Sequence, residues 1–346
     1  MLERKIKVLI VDDSILFRET LAKFFANDKF IEVVGKASDP FEARDKILSL
    51  RPDVLTLDVE MPKMDGIQFL RKLIPQYPIP AVIVSSAPIK AFDALDAGAV
   101  DYVKKPLIKG PSDMQAFAGN LRNKIITASQ AKVFQRNTLK RTSAGAVKTA
   151  VQPRAIKNPN TVIALGASTG GTDALQVVLT SMPANCPPIV IVQHMPPGFT
   201  KMFAERINKL AAIEVKEAQD GDRLKYGCAL LAPGGDLHMT LEKDSKGYYV
   251  KLQAGEKVSS HRPSVDVLFK SVARTAKSNA IGVIMTGMGS DGAEGLLQMR
   301  EQGAYTIGQD KESCVVYGMP MVAHMKGACV IQAPLDKICS KICERL

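Results

Sequence analysis

Ser168 lies at the centre of a glycine-rich turn, GASTGG, which spans residues 166–171. The turn fits G-x-S-x-G, a pattern in which a serine between a strand and a helix is the nucleophile of a hydrolase. The glycines permit positive φ and leave space for a substrate close to the backbone. The N–H groups at the start of a helix can bind an oxyanion or a phosphate. Ser168 is therefore a candidate nucleophile, although the pattern taken alone also fits a serine that only caps a helix.

Two further groups that a hydrolase needs follow predicted buried strands. His194 comes just after the apolar run IVIV, and Asp291 lies in the glycine-rich loop after the run AIGVIM. The carboxyl ends of parallel strands meet at one edge of a sheet, so Ser168, His194 and Asp291 are expected there together. His194 would take the proton of Ser168, and Asp291 would hold the imidazole tautomer. Asp266 is the competing carboxylate, but its position in SVDVLF predicts that it lies inside a helix.

The elements around Ser168 can be predicted from apolar spacing. The run 162–165 has the length of a buried strand, and apolar residues recur at helical spacing after the turn. Farther along, residues 214–254 alternate strand-like pieces with glycine turns and predict short antiparallel hairpins beside a mainly parallel sheet.

The N-terminal part also places polar side chains at strand ends. Over residues 5–130 the apolar pattern predicts five strand–helix units in succession, which implies a parallel sheet covered by helices. The residues at the ends of its strands are Asp12, Asp13, Asp58, Ser85 and Lys105. Three carboxylates at one edge repel one another unless a hard cation lies among them, and Mg²⁺ with oxygen ligands fits. Lys105 would neutralise a group held opposite.

The first helix of this part has a predicted cap and a predicted inner face. Ser14 can cap it, and the inner face is expected to carry Phe17, Leu21, Phe24 and Phe25.

Length and charge indicate how the chain is divided. Its 346 residues are enough for two domains at roughly 100–200 residues each. The net charge is +11, but seven of these eleven net charges fall between Lys132 and Lys157, a stretch without acids and with few large apolar side chains. This composition predicts a basic flexible linker over 131–158, between domains at 1–130 and 159–346. The charge therefore does not indicate a surface that binds nucleic acid.

Cysteine usage and hydropathy limit the cellular context. The six cysteines are dispersed and form no C-x-x-C, which predicts a reduced, cytoplasmic protein without a zinc ribbon. Cys339 and Cys343, one helical turn apart, are expected to share a helix face. Because no apolar run reaches the ~18–20 residues of a membrane span, membrane insertion is not expected.

Residues 5–130 resemble a response-regulator receiver domain, a flavodoxin-like (βα)5 fold. The resemblance rests on VDDS at 11–14, LDVEMPKMDG at 57–66, VSS at 84–86 and DYVKKP at 101–106. It implies that Asp58 accepts a phosphoryl group from a histidine kinase. It also implies a Mg²⁺ site, a switch hydroxyl, a switch aromatic and a phosphate-contacting lysine. The residues implied are Asp12, Asp13, Asp58 and the Glu60 carbonyl for Mg²⁺, and Ser85, Tyr102 and Lys105 for the other roles. The adjacent Ser86 is the alternative switch hydroxyl, and Ser85 is favoured because it keeps the usual spacing to the preceding strand.

Residues 160–346 resemble the catalytic domain of the chemotaxis methylesterase family, CheB, a doubly wound α/β fold. The supporting motifs are GASTGG at 166–171, VQHMP at 192–196, APGG at 232–235, HRPSVDVLF at 261–269 and TGMGSDG at 286–292. The resemblance implies the triad Ser168, His194 and Asp291. Backbone amides of Thr169 and Met288 are the candidates for an oxyanion hole.

The two resemblances together imply a phosphorylation-activated serine hydrolase. Its substrates would be glutamyl methyl esters on chemoreceptor helices, and it would also deamidate receptor glutamines. The receiver would cover the active site until Asp58 is phosphorylated, and phosphorylation would draw Ser85 and Tyr102 inward.

Two other protein classes fit the sequence less well. A dinucleotide-binding enzyme would use the glycines of 166–171, but Thr172 stands where that pattern has its third glycine and no Tyr-x-x-x-Lys follows. A DNA-binding response regulator would need a helix-turn-helix unit, and none is apparent after residue 160.

Overall fold

The computed structural model describes residues 4–86, 88–106, 111–133 and 158–346. The chain divides into two compact units, Met1–Ala144 and Gly145–Leu346. The predicted linker, 131–158, lies for the most part outside the described residues.

The N-terminal unit is built on a five-stranded sheet. Its strands are β1 (Ile6–Val11), β2 (Ile31–Ala37), β3 (Val54–Asp58), β4 (Ala81–Ser85) and β5 (Asp101–Lys104). Its helices are α1 (Ile15–Phe25), α2 (Pro40–Leu50), α3 (Gly66–Leu73), α4 (Pro88–Asp96) and α5 (Pro111–Ala128). The strand order is β2-β1-β3-β4-β5, and every neighbouring pair is parallel. The predicted succession of strand–helix units and the parallel sheet are confirmed.

Helix α1 has the predicted cap and a narrower inner face than predicted. The Ser14 hydroxyl accepts a hydrogen bond from the Phe17 N–H at 3.3 Å, as an N-cap does. Phe17, Leu21 and Phe25, at four-residue intervals, are buried. The prediction for Phe24 was wrong, because its side chain is 39% exposed. Adjacent helical residues point about 100° apart, so Phe24 lies at the edge of the buried stripe and meets Phe25 edge-on, with ring centroids 5.4 Å apart.

The C-terminal unit, over its described residues 158–346, contains nine strands and six α-helices. The strands are β6 (Val162–Ala167), β7 (Ile189–Gln193), β8 (Glu214–Glu217), β9 (Cys228–Leu231), β10 (Leu237–Asp244), β11 (Gly247–Ala254), β12 (Ala280–Ile284), β13 (Tyr305–Gln309) and β14 (Ile331–Ala333). The helices are α6 (Gly171–Ser181), α7 (Phe199–Leu210), α8 (Val265–Thr275), α9 (Ala293–Glu301), α10 (Met319–Met325) and α11 (Leu335–Cys343). Seven strands form a sheet in the order β14-β13-β12-β6-β7-β9-β8, and β10 and β11 form a separate hairpin. The predicted doubly wound, mainly parallel α/β fold is confirmed.

The prediction of several hairpins over 214–254 was wrong in part. Within this fully described segment, β10 and β11 form the one antiparallel pair of strands, and an isolated antiparallel bridge links Arg223 to Tyr249 of β11. In contrast, β8 and β9 pair in parallel and extend the main sheet. The segment between β8 and β9 is long enough to cross the hairpin: the Gly221 N–H donates to the Val250 carbonyl at 2.9 Å, and the Leu224 N–H to the Tyr248 carbonyl at 3.1 Å. This crossing permits a parallel return, which a tight turn does not allow.

All six cysteines are buried thiols without disulfides, and Cys339 and Cys343 are both buried residues of α11. Among the described residues, no helix combines the length and the apolar character needed to cross a membrane.

Candidate active site

Ser168 lies in the tight connection between β6 and α6, as predicted. It follows the last residue of β6, is 7% exposed, and its carbonyl accepts a hydrogen bond from the Gly171 N–H at 2.7 Å. Gly170 has a φ of +75°, and a Cβ added there would lie 2.6 Å from the Cβ of Val315. A Cβ on Gly171 would lie 2.1 Å from Oε1 of Gln193. Both glycines are therefore required by the close packing of the turn, and Gly170 also by its backbone conformation.

The segment after β12 packs directly against Ser168. The Ser168 N–H donates to the Thr286 carbonyl at 3.0 Å, and a Cβ on Gly287 would lie 2.6 Å from the Cβ of Ser168. On the other side, buried Gln193 donates from Nε2 to the Ser168 carbonyl at 2.9 Å. The turn is thus fixed from both neighbouring strands. The role of Gln193 was not foreseen from the sequence, although its position beside His194 at a strand end was visible.

His194 and Ser168 occupy adjacent positions at the carboxyl ends of neighbouring strands. Ala167 pairs with Gln193 in the register of β6 and β7, so Ser168 and His194 are the next residue on each strand. The His194 N–H donates to the Ala167 carbonyl at 3.2 Å and continues this pairing. The parallel topology therefore brings the two candidates to one edge of the sheet.

The imidazole of His194 is bonded to Asp291. Its Nε2–H donates to Oδ2 of Asp291 at 2.8 Å, and the two side chains are 5% and 1% exposed. Its Nδ1 is buried and has no hydrogen-bond partner within the described part of the chain. Because the carboxylate uses Nε2, Nδ1 is the ring nitrogen that remains to accept a proton. In the serine proteases the two nitrogens have the opposite assignment.

The Asp291 carboxylate is held by the N-terminus of α8. Oδ1 accepts hydrogen bonds from the Ser264 hydroxyl at 2.7 Å and the Asp266 N–H at 3.0 Å, and Oδ2 accepts one from the Val265 N–H at 2.8 Å. Burial raises the pKa of Asp291, but the hydrogen bond and electrostatic attraction of His194, together with the donors at the start of α8, outweigh it, so the pKa lies below its usual range. Asp291 is therefore kept ionised beside the imidazole, where its negative charge would favour an imidazolium.

A buried histidine supports the start of α8. The Ser264 N–H donates to Nδ1 of His238 at 3.2 Å, and Nε2–H of His238 donates to the Glu256 carbonyl at 2.8 Å. These bonds define the neutral tautomer of His238, which is 3% exposed. Ser264 is the first residue of the SVDVLF motif that was predicted to be helical, but its contacts with His238 and Asp291 join distant segments and gave no local signal in the sequence.

Asp266, the competing carboxylate, lies within α8 as predicted. Its Oδ1 accepts a hydrogen bond from the Gly295 N–H at 2.7 Å, and burial raises its pKa. It braces α8 against α9, while Asp291 is the carboxylate bonded to His194.

Both oxyanion-hole candidates lie near Ser168: Thr169 is the next residue in the chain, and Met288 belongs to the segment that packs against Ser168. Thr169 is 5% exposed, and its carbonyl accepts a hydrogen bond from the Thr286 hydroxyl at 3.0 Å. Met288 is half-buried and directly follows Gly287, which packs against Ser168. Their role as amide donors stays a prediction.

The acidic cluster of the N-terminal unit forms at the edge where the sequence placed it. Asp12 and Asp58 are buried, Asp13 is exposed, and one carboxylate oxygen from each lies within 4.8 Å of the others. Nζ of Lys105 donates to Asp12 at 2.7 Å and to Asp58 at 2.6 Å. Burial lowers the pKa of Lys105, but these two carboxylates outweigh it and raise the pKa. Burial, assisted by Asp58, raises the pKa of Asp12.

This donor set fits a hard divalent cation. Three carboxylates face one ammonium group, so the cluster has an excess of negative charge and offers only oxygen ligands. The predicted backbone ligand Glu60 is adjacent: its N–H donates to Asp58 at 3.2 Å, while its carboxylate pairs with Lys90 at 2.7 Å.

The predicted switch residues are both buried. Ser85 is 3% exposed and its carbonyl accepts a hydrogen bond from the Lys105 N–H at 2.9 Å, whereas the neighbouring Ser86 is exposed. Tyr102 is 7% exposed and packs against Phe92, with ring centroids 6.4 Å apart; burial raises its phenol pKa well above the usual value. Tyr102 was expected to move inward on phosphorylation, and in this structure it is already inside.

Comparison with known proteins identifies both parts. Residues 163–342 match the family described as CheB methylesterase, and residues 8–116 match the response regulator receiver domain. The chain belongs to the CheB methylesterase family. The protein-glutamate methylesterase/protein-glutamine glutaminase 2 of Syntrophomonas wolfei is 51% identical to this CheB-family chain over 97% of it and 96% of the relative.

Further relatives agree. The enzyme of the same description from Syntrophotalea carbinolica is 49% identical, over 99% of this chain and 98% of its own length. The crystal structure of the Thermotoga maritima CheB methylesterase catalytic domain is 39% identical, covers 54% of this chain and 99% of that one, and has a TM-score of 0.53.

Proposed function

We propose that this CheB-family chain is a protein-glutamate methylesterase and protein-glutamine glutaminase that acts on chemoreceptors and is activated by phosphorylation. The observation that carries the proposal is the buried His194–Asp291 pair, 2.8 Å between Nε2 and Oδ2, placed one strand away from Ser168. This arrangement supplies a nucleophile, a base and an orienting carboxylate at one sheet edge.

The first half of the reaction is acylation. The Ser168 hydroxyl oxygen attacks the ester carbonyl carbon, and its proton passes to Nδ1 of His194. Asp291 holds Nε2–H and stabilises the imidazolium that forms. Collapse of the tetrahedral intermediate breaks the C–O bond, and the proton on Nδ1 goes to the departing oxygen, which leaves as methanol.

The second half is hydrolysis of the acyl-enzyme. A water molecule gives a proton to Nδ1 of His194 and attacks the ester carbonyl; the bond to Ser168 then breaks, and the serine recovers its proton. The product is a glutamate side chain. With a glutamine substrate the same steps release ammonia. Backbone N–H groups of Thr169 and Met288 are proposed to bind the oxyanion in both halves.

The receiver part is proposed to control this activity. Asp58 would accept a phosphoryl group from a histidine kinase, with Asp12, Asp13 and the Glu60 carbonyl completing a Mg²⁺ site. Bound Mg²⁺ would neutralise charge on the oxygens of the phosphoryl group. Lys105, which bridges Asp12 and Asp58, is placed to exchange one of these carboxylates for the phosphoryl group. The added charge of about −1.5 to −2 would draw the Ser85 hydroxyl to the new oxygens.

We further propose that the unphosphorylated receiver covers the sheet edge that carries Ser168. Asp58 and Ser168 belong to different compact units of the chain, so control of one by the other would act through a rearrangement of the units. No nucleic acid takes part in this scheme, and the protein partners are the receptor and the kinase.

Methanol release from methyl-labelled receptor membranes tests the proposal. The purified chain should release methanol, faster with a small phosphodonor and Mg²⁺, and a radiolabelled phosphonate should attach to Ser168. A folded chain that releases none and is not labelled would contradict the hydrolase proposal.

A further inference from the structure

We infer that His261 is a positioning residue of the esterase, which holds the ring of His194 so that Nδ1 is presented to Ser168. The inference rests on the proposed function. Its observation is a face-to-face contact: the His194 and His261 ring centroids lie 3.7 Å apart, with 4° between the ring planes. His261 stands outside the strand ends that place the triad, in the segment just before α8.

The hydrogen bond to Asp291 does not by itself fix the position of Nδ1. It holds one atom of the ring, Nε2, and leaves the ring able to tilt about the line to Oδ2. A flat group in van der Waals contact with the ring face removes that freedom. Nδ1 has no hydrogen-bond partner in the described part of the chain, so packing against the face supplies the restraint that hydrogen bonding does not.

His261 is itself held by a tight turn. The Val258 N–H donates to the His261 carbonyl at 3.1 Å, and the His261 N–H donates to the Val258 carbonyl at 2.9 Å. Nδ1–H of His261 donates to the Ser259 carbonyl at 2.7 Å. The ring is therefore attached to the turn at the backbone and at the side chain.

The turn is strained in a way that favours a functional role. Ser259 and Ser260 have φ values of 51° and 67°, the left-handed region that glycine normally occupies. Two such residues in succession persist only where the surroundings hold them, and strain of this kind clusters at functional sites. Arg262, which follows His261, holds this segment in place: its guanidinium donates hydrogen bonds to the Gly255 carbonyl at 2.5 Å and to the Asp236 carboxylate.

Stacking also suits the charge that appears during the reaction. His194 becomes positively charged when it takes the Ser168 proton, and the face of a neutral aromatic ring attracts a cation. Nδ1–H of His261 donates to the Ser259 carbonyl, and the neutral form of the ring would present its face to the imidazolium. A flat hydrocarbon ring would provide the same support.

A metal centre is the alternative use of these side chains. One ligand atom each of His194, His261 and Asp291 lies within 4.8 Å of the others. However, lone pairs of imidazole nitrogens lie in the ring planes, and planes 4° apart direct them side by side and not toward one point. The stacked geometry therefore favours the positioning role.

The test compares four variants of the full-length protein, assayed for methanol release with phosphodonor and Mg²⁺. His261→Ala and His261→Leu remove the flat ring and should lower kcat about 10–100-fold with KM within about twofold, since a misplacement of about 1 Å can reduce the rate on the order of 10²-fold. His261→Phe keeps a flat ring and should restore kcat to within about threefold of wild type. His324→Ala, at an exposed histidine of α10, is the matched control and should match wild type.

If His261→Ala folds poorly, His261→Phe and His261→Leu still test the positioning role, because their side chains are both apolar and differ in whether they are flat. Equal kcat in these two variants, whether high or low, overturns the inference, and so does a drop confined to KM. The rate at which a labelled phosphonate attaches to Ser168 should follow the same order as kcat. If wild-type protein releases no methanol and is not labelled, the proposed function has failed, a result distinguishable from failure of the His261 inference.

Discussion

Replacing Asp291 by asparagine separates the chemical role of this carboxylate from its structural one. In the wild type, Asp291 accepts hydrogen bonds from His194, the Ser264 hydroxyl and the N–H groups of Val265 and Asp266. The asparagine amide has one oxygen and one NH₂ group, so only one of its two ends can accept the hydrogen bonds that Oδ1 and Oδ2 of Asp291 accept. Whichever way it turns, its NH₂ group faces a backbone N–H of α8, and neither group can accept.

The structure sets the size of both effects. An unsatisfied buried donor costs about 1–3 kcal/mol, and loss of a negative charge at a helix N-terminus costs about 1 kcal/mol more. The asparagine side chain would also favour the wrong tautomer: if its NH₂ group donates to Nε2 of His194, the imidazole proton moves to Nδ1, which can no longer act as a base. The corresponding substitution in a serine protease lowers kcat about 10⁴-fold, equivalent to about 5.5 kcal/mol in the barrier.

The assay measures kcat for methanol release beside the urea-unfolding free energy of the same sample. Asp291→Asn should remain folded, lose about 2–4 kcal/mol of stability and lose about 10⁴-fold in kcat. Asp266→Asn is the matched control. It keeps an amide oxygen for the Gly295 N–H and should leave kcat within about threefold. A larger kcat loss in Asp266→Asn than in Asp291→Asn would refute the assignment of the carboxylate.

Three further predictions concern coupling, support and pH. A chain that starts at Pro159 should release methanol without phosphodonor. Full-length protein should be slow until phosphodonor and Mg²⁺ are added, and Asp58→Asn should abolish that gain. A truncated chain no faster than unphosphorylated full-length protein would show that the receiver does not act by covering Ser168. Ser264→Ala should lower stability by about 1 kcal/mol and kcat about 10-fold, since the hydroxyl both caps α8 and donates to Asp291; an unchanged kcat would exclude this support. The pKa of Asp291 is lowered in the folded protein. The ionised carboxylate therefore contributes fully to stability above about pH 3.9, and this contribution is lost as the pH falls through the pKa of the folded state. The unfolding free energies of wild type and Asp291→Asn, measured in urea from about pH 6 to about pH 3, should converge toward the acid end.

The sequence was sufficient for those parts of the fold that repeat a local pattern. The strands and helices around Ser168 and around the acidic cluster follow from apolar spacing, and parallel pairing then determines which strand ends meet. Phe24 was misplaced because helical spacing assigns a face only to within about one residue position. The pairing of β8 with β9 was missed because a strand pattern does not reveal the direction of its partner.

The parts of the site that were not foreseen depend on contacts between distant segments. His238 of β10 forms a hydrogen bond with Ser264 at the start of α8. His261 stacks on His194 from a turn whose strain is visible only in the backbone angles. Ser259 and Ser260 carry no local sign of left-handed geometry, since glycine or asparagine is the usual marker. The choice of Asp291 over Asp266 could be argued from the sequence, but the nitrogen of His194 that it bonds could not.

The most direct test of the central claim, that Ser168 is the nucleophile of a methylesterase, is methanol release from methyl-labelled receptors by Ser168→Ala. Ser168 lies at the carboxyl end of β6, next to His194 at the end of β7, and is 7% exposed. Loss of such a nucleophile lowers the rate on the order of 10⁴–10⁶-fold, so the variant should release no measurable methanol while it unfolds in urea like wild type and still takes up phosphate at Asp58. Near-normal methanol release by the folded variant would contradict the account.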